Sequence, residues 1–338
     1  FQNRFDEDDH VMIYRAYAQW QFKPFDALVI NTGIHMQEMS LANNYSLEPR
    51  FGLKWLLGPR QSINFGYGIH SKPATTYVFF QKVELAPGVY TQPNKDLDFI
   101  KSQHFVVGYD WNINSTLHLK MEAYYQDIFQ SIVEASTSSY SMLNTSSFTW
   151  QLPDSLVNGG AGKNYGVEFT LEKFLDNGFY FLLTTSVFDS KYKASDNKWR
   201  STAFDSKYVV NLLAGKEYEI FSKENAKYRK WLTFDGKVTM AGGQRYTPID
   251  IELSRNENTT KYFEDLAYTE KFKDYFRADI RVAFKLEGKK TSQEWAFDIQ
   301  NLSNTKNPLY KEYDADSDAI KTVYQLGLFP MMQYRITF

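Results

Sequence analysis

The chain has 338 residues, contains no cysteine, and has Phe, Trp or Tyr at 17% of its positions. Its formal net charge of −2 gives no reason to expect nucleic acid as a partner. Its mean hydropathy is −0.48, and it has no run of about 18 apolar residues, which excludes a transmembrane helix in this sequence.

Apolar and polar side chains alternate with a period of two residues through most of the chain, and this pattern predicts strands. Thirteen strands are expected, at residues 10–23, 26–40, 45–57, 62–73, 99–112, 116–129, 163–174, 178–192, 205–219, 229–241, 276–287, 292–302 and 325–338. Short links alternate with long polar segments, which are expected at 74–98, 130–162, 242–275 and 303–324. Two links depart from this rule: 41–44 is short for an outer loop, and 220–228 is long for a turn.

Several predicted strands carry more than one charge on their polar face. In 276–287, Arg277, Asp279 and Arg281 alternate with the apolar residues Ile280 and Val282. A soluble sheet would bury the apolar face in a core, whereas a transmembrane barrel turns it to lipid and keeps the polar face in its lumen. A half-exposed soluble sheet could explain any one strand. The repetition of the pattern without an amphipathic helix favours an all-β fold, a transmembrane antiparallel up-and-down β-barrel.

Tryptophan indicates which end of the barrel is which. Trp20, Trp55, Trp111 and Trp295 lie within a few residues of the short links, on the apolar phase of their strands. Aromatic residues of this kind form a belt at a membrane interface. Trp231 lies at the same level but on the polar phase, so the rule has an exception.

The odd strand count conflicts with a complete barrel. Bacterial single-chain barrels have an even number of strands and leave no unpaired edge in lipid. The chain also begins at Phe1 rather than at a methionine. We therefore expect the C-terminal part of a larger barrel, with a periplasmic C-terminus and with residues 1–9 on the extracellular side.

Six segments carry a resemblance to a known family. They are 47–53 (LEPRFGL), 58–62 (GPRQS) with 66–68 (GYG), 164–173 (NYGVEFTLEK), 242–248 (GGQRYTP), 297–304 (FDIQNLSN) and 333–338 (QYRITF). Their order and spacing resemble the second half of the barrel in TonB-dependent outer-membrane receptors, especially those with a carboxypeptidase-like regulatory domain. Such transporters have 22 strands and a plugged lumen, so the resemblance implies that about nine strands and the plug precede this chain. Residues 1–338 are then the C-terminal portion of the receptor's β-barrel domain.

The resemblance also implies a function. It implies an active transporter or receptor in the outer membrane of a Gram-negative bacterium, which imports a scarce ligand with energy from the TonB–ExbB–ExbD system. Its other implied partners are outer-membrane lipids, the outer-membrane assembly machinery and, as a further candidate, a surface lipoprotein. The substrate class stays open among siderophores, vitamins, glycans and peptides. The alternative is a passive porin or a structural barrel subunit of an outer-membrane complex, which would have no plug.

Two groups of residues are candidates for contacts inside the barrel and outside the cell. The candidates for the lumen wall and for plug contact are Arg277, Asp279, Arg281, Glu294, Asp298 and Arg335. The candidates for extracellular ligand contact are Tyr77, Phe79, Tyr90, Trp150, Trp199, Tyr262, Tyr310 and Tyr313. For the first group, ion pairs within the wall are the alternative role. For the second group, packing within and between loops is the more favoured role.

The last residues of the chain resemble an assembly signal. Tyr334, Ile336 and the terminal Phe338 share one face of the last strand, as the outer-membrane assembly machinery recognises in barrel proteins. The alternative is that these residues simply form a lipid-facing strand end.

Metal binding and catalysis receive little support from the sequence. Asp314, Asp316 and Asp318 have the alternate spacing of a calcium loop, but the glycine and the later glutamate of an EF-hand are missing. The histidines lie on separate strands without a neighbouring nucleophile. We therefore expect no metal site, no cofactor and no enzyme activity.

Overall fold

The computed structural model describes residues 11–42, 44–145, 152–220 and 228–338. Its strands are β1 (Ile13–Phe25), β2 (Leu28–Met39), β3 (Asn44–Gly58), β4 (Gln61–Lys72), β5 (Val83–Ala86), β6 (Val89–Thr91), β7 (Ile100–Asn112), β8 (Leu117–Glu134), β9 (Leu156–Asp176), β10 (Phe179–Lys193), β11 (Trp199–Ser201), β12 (Tyr208–Glu219), β13 (Tyr228–Ala241), β14 (Arg245–Tyr246), β15 (Glu270–Lys271), β16 (Tyr275–Gly288), β17 (Ser292–Gln300), β18 (Pro308–Asp314), β19 (Ala319–Tyr324) and β20 (Phe329–Thr337).

Thirteen of these strands form the wall of the molecule, one antiparallel sheet. Their order is β1-β2-β3-β4-β7-β8-β9-β10-β12-β13-β16-β17-β20, so each wall strand pairs with the wall strands that precede and follow it in the chain. This order confirms the predicted thirteen strands and their up-and-down connection. β1 and β20 are the two edges of the sheet and do not pair with each other in the part of the chain that is described.

The remaining elements lie in the long loops. The pairs β5–β6, β14–β15 and β18–β19 form small separate sheets, and β11 adds to one end of β10. Two α-helices occur in the described residues, α1 (Thr76–Phe79) and α2 (Ile251–Glu257), with single 3-10 turns at Met142–Asn144 and Glu264–Leu266. Within the described ranges, none of the helices has the length and apolarity that crossing a membrane requires.

One predicted loop is shorter in the structure than in the sequence prediction. Residues 130–134 and 156–162 were expected in a loop, but β8 extends to Glu134 and β9 begins at Leu156. The extension lacks the alternating pattern because Ile132 and Val133, on opposite faces, are both fully buried. Ile132 packs into the core of the β4–β7 loop, and Val133 packs against Tyr192 of β10 and Ala194, so that both faces of these strand ends are apolar.

On central strands such as β16 and β17, the wall exposes its apolar phase more than the phase that carries the charges, whereas the edge strands β1 and β20 are exposed on both faces almost throughout. On β16, Val282 is 37% exposed and the adjacent Ala283 only 4%. On β17, Trp295 is 41% exposed and Ala296 only 5%. A soluble sheet with a core has the opposite arrangement, because there the apolar face is the buried one.

A tight turn between β9 and β10 shows how the short links fix the register. Asn177 and Gly178 have φ values of 51° and 71°, as a type I′ hairpin requires. A Cβ atom at Gly178 would also overlap the carbonyl oxygen of Glu217. Glycine is therefore needed here for its conformation and for space.

The loop between β4 and β7 has an apolar core of its own. Its members pack together with residues from β2, β8 and β9, and they are Met39, Ala74, Val78, Phe79, Phe80, Leu97, Phe99, Ile132, Leu152 and Leu156. Asn94 is fully buried beside this core, and its Oδ1 accepts a hydrogen bond of 2.9 Å from the backbone N–H of Leu156. The loop is thus held against the projecting ends of β8 and β9.

Candidate functional site

A cavity of about 880 Å³ lies among the long loops. Its lining comes from the β8–β9 loop, from residues 196–200, from the β13–β16 loop and from residues 309–311. This volume lies within the range of about 300 to 1,000 Å³ that is usual for ligand sites. We refer to it as the loop cavity.

Tyrosines form much of one side of the loop cavity. Tyr268 lines the cavity, and its ring meets that of the fully buried Tyr192 edge to face with centroids 5.9 Å apart. Tyr192 does not line the cavity itself, and its hydroxyl donates a 3.1 Å hydrogen bond to the carbonyl of Ser139. Burial raises the pKa of Tyr268 to about 12, and burial also raises the pKa of Tyr140 and of Tyr262. These lining phenols are therefore neutral near pH 7 and can act as hydrogen-bond donors.

Two arginines of the loop cavity are held by carboxylates. Arg200 forms a two-pronged pair with Asp196, with N–O distances of 3.0 and 2.6 Å. The hydrogen bonds from Arg200 hold the pKa of Asp196 below its usual range. Arg245 donates to the fully buried Asp205 at 3.3 Å. Each guanidinium of the cavity therefore already has a carboxylate partner.

The remaining polar groups of the cavity are also partly engaged. Lys311 Nζ donates to the hydroxyl of Tyr246 at 2.6 Å, and the Tyr246 ring stacks on Phe272 with centroids 4.3 Å apart. The Ser139 hydroxyl donates to Glu264 at 2.9 Å. The lining contains equal numbers of cations and carboxylates, namely Lys198, Arg200, Arg245 and Lys311 against Glu134, Asp196, Glu264 and Asp265.

Two polar atoms of cavity-lining residues are themselves inaccessible to solvent and have no hydrogen-bond partner within the described residues. They are the hydroxyl of Tyr140 and Nδ2 of Asn144. The other amide atom of Asn144, Oδ1, accepts a 2.9 Å hydrogen bond from the backbone of Ala203. This hydrogen bond orients the Asn144 side chain, and its amino group is the end that has no hydrogen-bond partner among the described residues.

The enclosed face of the wall carries the predicted charges close together. Arg281 reaches across to β17 and contacts Glu294 at 2.6 Å and Asp298 at 3.2 Å. Arg277 contacts Asp279 at 2.7 Å. These are ion pairs within the wall, which is the alternative role that the sequence left open.

Arg335 differs from the other five predicted wall residues. It lies opposite Glu294 in the β17–β20 register, but no ion pair involves it among the residues described. Its side chain lies on the edge strand β20, which is exposed along its whole length.

A second polar cluster on the wall was not predicted from the sequence. Glu48 is 2% exposed, and its carboxylate lies 3.0 Å from His35 Nδ1, 2.7 Å from Gln37 Nε2 and 3.1 Å from Arg50. It also accepts a 3.1 Å hydrogen bond from the backbone N–H of Ser71. These contacts tie β2, β3 and β4 together near the long-loop end.

The structure separates the aromatic residues that were predicted as ligand contacts. Tyr262 and Tyr310 line the loop cavity and are 45% and 46% exposed. Phe79 is 1% exposed in the loop core, and Tyr77 packs against that core. In this structure, Phe79 therefore packs against protein and has no surface for a ligand.

The other candidates lie apart from the loop cavity. Tyr90 is exposed on β6, and Trp199 on β11 is covered by the Lys163 amine, 4.1 Å from its ring centroid. The Tyr313 hydroxyl donates to Asp318 at 2.9 Å. Trp150 lies outside the described residues.

The alternate aspartates after β18 have partners of their own. Asp314 pairs with Lys321, and Asp318 contacts Arg255 of α2 at 2.9 Å. Asp316 is exposed. Across the described ranges, no group of three or more His, Asp or Glu side chains is placed to hold a metal ion.

Comparison with known proteins gives a consistent assignment of the fold. The family described as "TonB dependent receptor-like, beta-barrel" matches residues 2–302. A comparison with curated protein sequences gave no match.

Among solved structures, this chain is similar to the outer membrane transporter YddB from Escherichia coli, with a TM-score of 0.64 and 13% identity over 96% of this chain and 45% of that one. It is also similar to the ferric yersiniabactin uptake receptor FyuA from Yersinia pestis, with a TM-score of 0.62 and 12% identity over 97% and 46% of the two chains. A mutant of the ferric enterobactin receptor PfeA from Pseudomonas aeruginosa gives a TM-score of 0.60 and 14% identity over 88% and 40%. The chain thus spans less than half the length of each of these proteins.

Proposed function

This chain belongs to the TonB-dependent receptor family through its β-barrel domain, and we propose that it is the C-terminal part of an outer-membrane transporter that imports a scarce ligand with energy from TonB. The observation that carries the proposal is the exposure pattern of the wall. Val282 and Trp295 are exposed, while Ala283 and Ala296, their neighbours on the phase that carries the charges, are enclosed, as expected for a wall with lipid outside and a lumen inside.

In the proposed orientation, the long loops are extracellular and the C-terminus is periplasmic. Support comes from the alternation of short turns with long loops, because outer-membrane barrels keep their short turns on the periplasmic side. The loop cavity then faces the medium, where it can collect the ligand. The iron chelates named for FyuA and PfeA are one candidate class of ligand.

The edges of the sheet support a larger barrel. Among the described residues, β1 and β20 each have an unpaired side, and unpaired backbone groups are costly in lipid. We propose that further strands of the same protein close the sheet and that a plug occupies the lumen. The plug would contact the enclosed face that carries Arg277, Asp279, Arg281, Glu294, Asp298 and Arg335, and TonB with ExbB and ExbD would act on the plug.

Two measurements on the full-length protein test this function against a passive porin. In planar lipid bilayers with KCl, a plugged transporter keeps the bilayer closed, whereas a porin conducts. The purified protein should also be retained by the immobilised C-terminal domain of TonB. If the protein conducts KCl steadily and is not retained by TonB, the transporter hypothesis is wrong, and the porin or structural barrel is the better description.

We also propose that the end of β20 is read during assembly. Tyr334, Ile336 and Phe338 share one face at the end of the chain and are 54%, 41% and 91% exposed, although the other face of β20 is exposed as well. Phe338→Ala should lower the folded yield in the outer membrane, while Thr337→Ala, on the other face, should not. If both variants fold in equal yield, the assembly-signal hypothesis is wrong, and these residues simply form a lipid-facing strand end.

A surface lipoprotein is a further proposed partner. Phe263 and Leu266 are exposed, at 44% and 45%, in the β13–β16 loop, where a capping protein could cover them. Co-purification of the native protein under mild detergent tests this, and a preparation that contains the receptor alone would argue against it.

A further inference from the structure

We propose that a group of lysines on the outer face of the wall binds the phosphorylated headgroup of a glycolipid in the outer leaflet of the membrane. The group lies at the long-loop ends of β9 and β10 and consists of Lys163, Lys191, Lys193 and Lys207 around Trp199. We refer to it as the lysine patch. The inference rests on the proposed orientation, because it takes the long-loop end of the wall to lie on the outer-leaflet side.

The lysine patch belongs to the outer face of its strands. On β9, Lys163 shares one phase with Tyr165, which is exposed. On β10, Lys191 lies opposite Lys163 in the antiparallel register, and Lys193 follows two positions later on the same phase. Tyr192, which stands between them on the other phase, is fully buried. The lysines therefore point away from the enclosed side of the wall.

Tyrosines mark the boundary between the apolar band of the wall and the lysine patch. Val167 on β9 is exposed, and the next residue of its phase toward the long loops is Tyr165. Tyr165 lies opposite Tyr125 of β8, which is exposed as well. Tyrosine rings of this kind lie at the membrane interface. Because residues of one face follow each other at about 7 Å along a strand, Lys163 lies one such step beyond the rings, at the level of lipid headgroups.

Positive charge exceeds negative charge in the patch. Its four lysines stand beside two carboxylates of the outer phase, those of Asp127 and Asp189. Asp189 pairs with Lys207 at 2.7 Å and with Lys191 at 3.6 Å. Asp127 accepts a 3.2 Å hydrogen bond from Gln103. The two carboxylates thus leave part of the positive charge without a counter-charge.

Two lysines of the patch form no ion pair with a carboxylate among the described residues. They are Lys163 and Lys193, and their amines lie 4.1 and 5.9 Å from the centroid of one ring, that of Trp199. The face of the ring attracts an ammonium group without neutralising it. Two ammonium groups beside one ring therefore offer two positive charges and free N–H donors. A phosphate group complements them with its charge and its acceptor oxygens.

The position of the patch favours a lipid over a soluble anion. None of its lysines lines the loop cavity. The patch instead continues the outer surface on which Val167 and Val187 are exposed. A lipid whose acyl chains lie against that apolar surface holds its headgroup near the lysines at a high effective concentration, which a free phosphate ion does not have.

The experiment is native mass spectrometry of the full-length receptor, freed of lipid in detergent and titrated with bisphosphorylated lipid A. The comparators are phosphate-free lipid A with the same acyl chains, and inorganic phosphate. We expect the bisphosphorylated lipid to bind at least about tenfold more tightly than the phosphate-free lipid. We expect most of this preference to be lost between about 0.1 M and about 0.5 M ammonium acetate, because salt screens charges at an exposed surface.

Variants then locate the site. Lys163→Ala combined with Lys193→Ala should weaken the bisphosphorylated lipid about 25-fold, because each lysine near an anionic lipid contributes about a factor of five. Lys289→Ala combined with Lys290→Ala is the matched control. It removes two exposed lysines from the short link between β16 and β17, at the other end of the wall, and should change the affinity less than about twofold. Unchanged melting of both variants shows that they are folded.

A third variant tests the ring between the two amines. Trp199→Ala should weaken the bisphosphorylated lipid by about threefold, because the ring no longer holds the two ammonium groups together. Trp199→Phe keeps an aromatic face and should restore part of that loss. If Trp199→Ala binds the lipid as tightly as the unchanged protein, the ring has no part in the site and the arrangement that we infer is wrong.

Each other outcome overturns the inference. If the two lipids bind equally well, only the acyl chains are recognised. If inorganic phosphate binds as tightly as the bisphosphorylated lipid, the patch is a site for the free ion. If the variant at Lys163 and Lys193 binds normally, or if the control variant loses as much affinity, the site is wrong. Bilayer conductance and TonB retention test the transport function separately, so either proposal can fail while the other stands.

Discussion

In the wall, large apolar side chains are exposed, with Val107 on β7 at 52%, whereas in the loop between β4 and β7 the side chains of Val78, Phe79 and Phe99 are almost completely buried. The two regions are connected directly, because that loop ends where β7 begins. Within a few residues, the chain therefore changes from burying its apolar side chains, as a soluble protein does, to exposing them.

The difference shows that the two regions are stabilised by different surroundings. The loop core excludes water by packing side chain on side chain, which contributes about 25 cal/mol for each Å² of apolar surface buried. The wall instead satisfies its backbone between strands and leaves its apolar face for lipid. The same residue type should therefore respond differently to substitution in the two regions.

The largest effect is expected from removing a loop-core ring. Phe79→Ala should destabilise the β4–β7 loop by about 3 to 5 kcal/mol, because it leaves a cavity at a side chain that is 1% exposed. Hydrogen exchange of residues 76–99 in the full-length protein measures this. Tyr90→Ala, at an exposed tyrosine of the same loop, should change it by less than about 0.5 kcal/mol. Equal exchange in the two variants would mean that the loop has no core of its own.

The next effect comes from a charge on the apolar face of the wall. Val107→Arg should cost about 2 to 4 kcal/mol in lipid vesicles, because Val107 lies near the middle of β7 on the exposed face. Val106→Arg is the matched control, since it puts the same residue on the enclosed face one position away. Denaturant unfolding in vesicles measures both. If the two variants lose comparable free energy of unfolding, both faces of the wall meet the same medium. That result would contradict a barrel whose outer face lies in lipid.

The wall could be predicted from the sequence because its rule is local. Alternation with a period of two predicts a strand wherever one face meets lipid and the other meets water, and it predicted all thirteen wall strands. The rule fails at the end of β8, where Ile132 and Val133 are both fully buried against other parts of the protein and no alternation is left to detect.

The loop cavity could not be predicted in the same way. Its lining comes from four loops that lie far apart in the chain, and no local pattern brings Tyr140, Tyr262 and Tyr310 together. Residue type alone selected Tyr262 and Tyr310, but the same criterion selected Phe79, which is buried in the loop core. Whether a loop aromatic packs or stays accessible is decided by tertiary packing.

A smaller effect is expected from the ion pairs of the enclosed face. Arg281→Ala should cost about 1 kcal/mol, because it removes two pairs that are partly exposed to the lumen and each contributes about 0 to 1 kcal/mol. Arg335→Ala, on the same face but without an ion pair among the described residues, should cost less than about 0.5 kcal/mol. Unfolding in vesicles compares them.

The same variants test contact with the plug. If the wall pairs also hold the plug, Arg281→Ala combined with Asp298→Ala should make the full-length protein conduct KCl in bilayers. If the double variant does not conduct, Arg281 and Asp298 do not hold the plug. Their role is then limited to ion pairs within the wall.

The smallest effect concerns pH in the loops, where Asp196 and Arg200 fix one side of the cavity. Arg200 holds the pKa of Asp196 below its usual range, so the folded state binds the Asp196 proton more weakly than the unfolded state does. The stability from this pair is therefore fully present above about pH 4, the range of an unperturbed aspartate, and is lost as the pH falls through the folded pKa.

Hydrogen exchange of residues 194–204, corrected for intrinsic rates, should be flat from pH 7 to about pH 5 and then show loosening in acid. Asp196→Asn should loosen the loop at neutral pH and remove the acid step, whereas Asp316→Asn, at an exposed carboxylate in another loop, should leave that step in place. An acid step that persists in the Asp196→Asn variant would assign it to a different carboxylate.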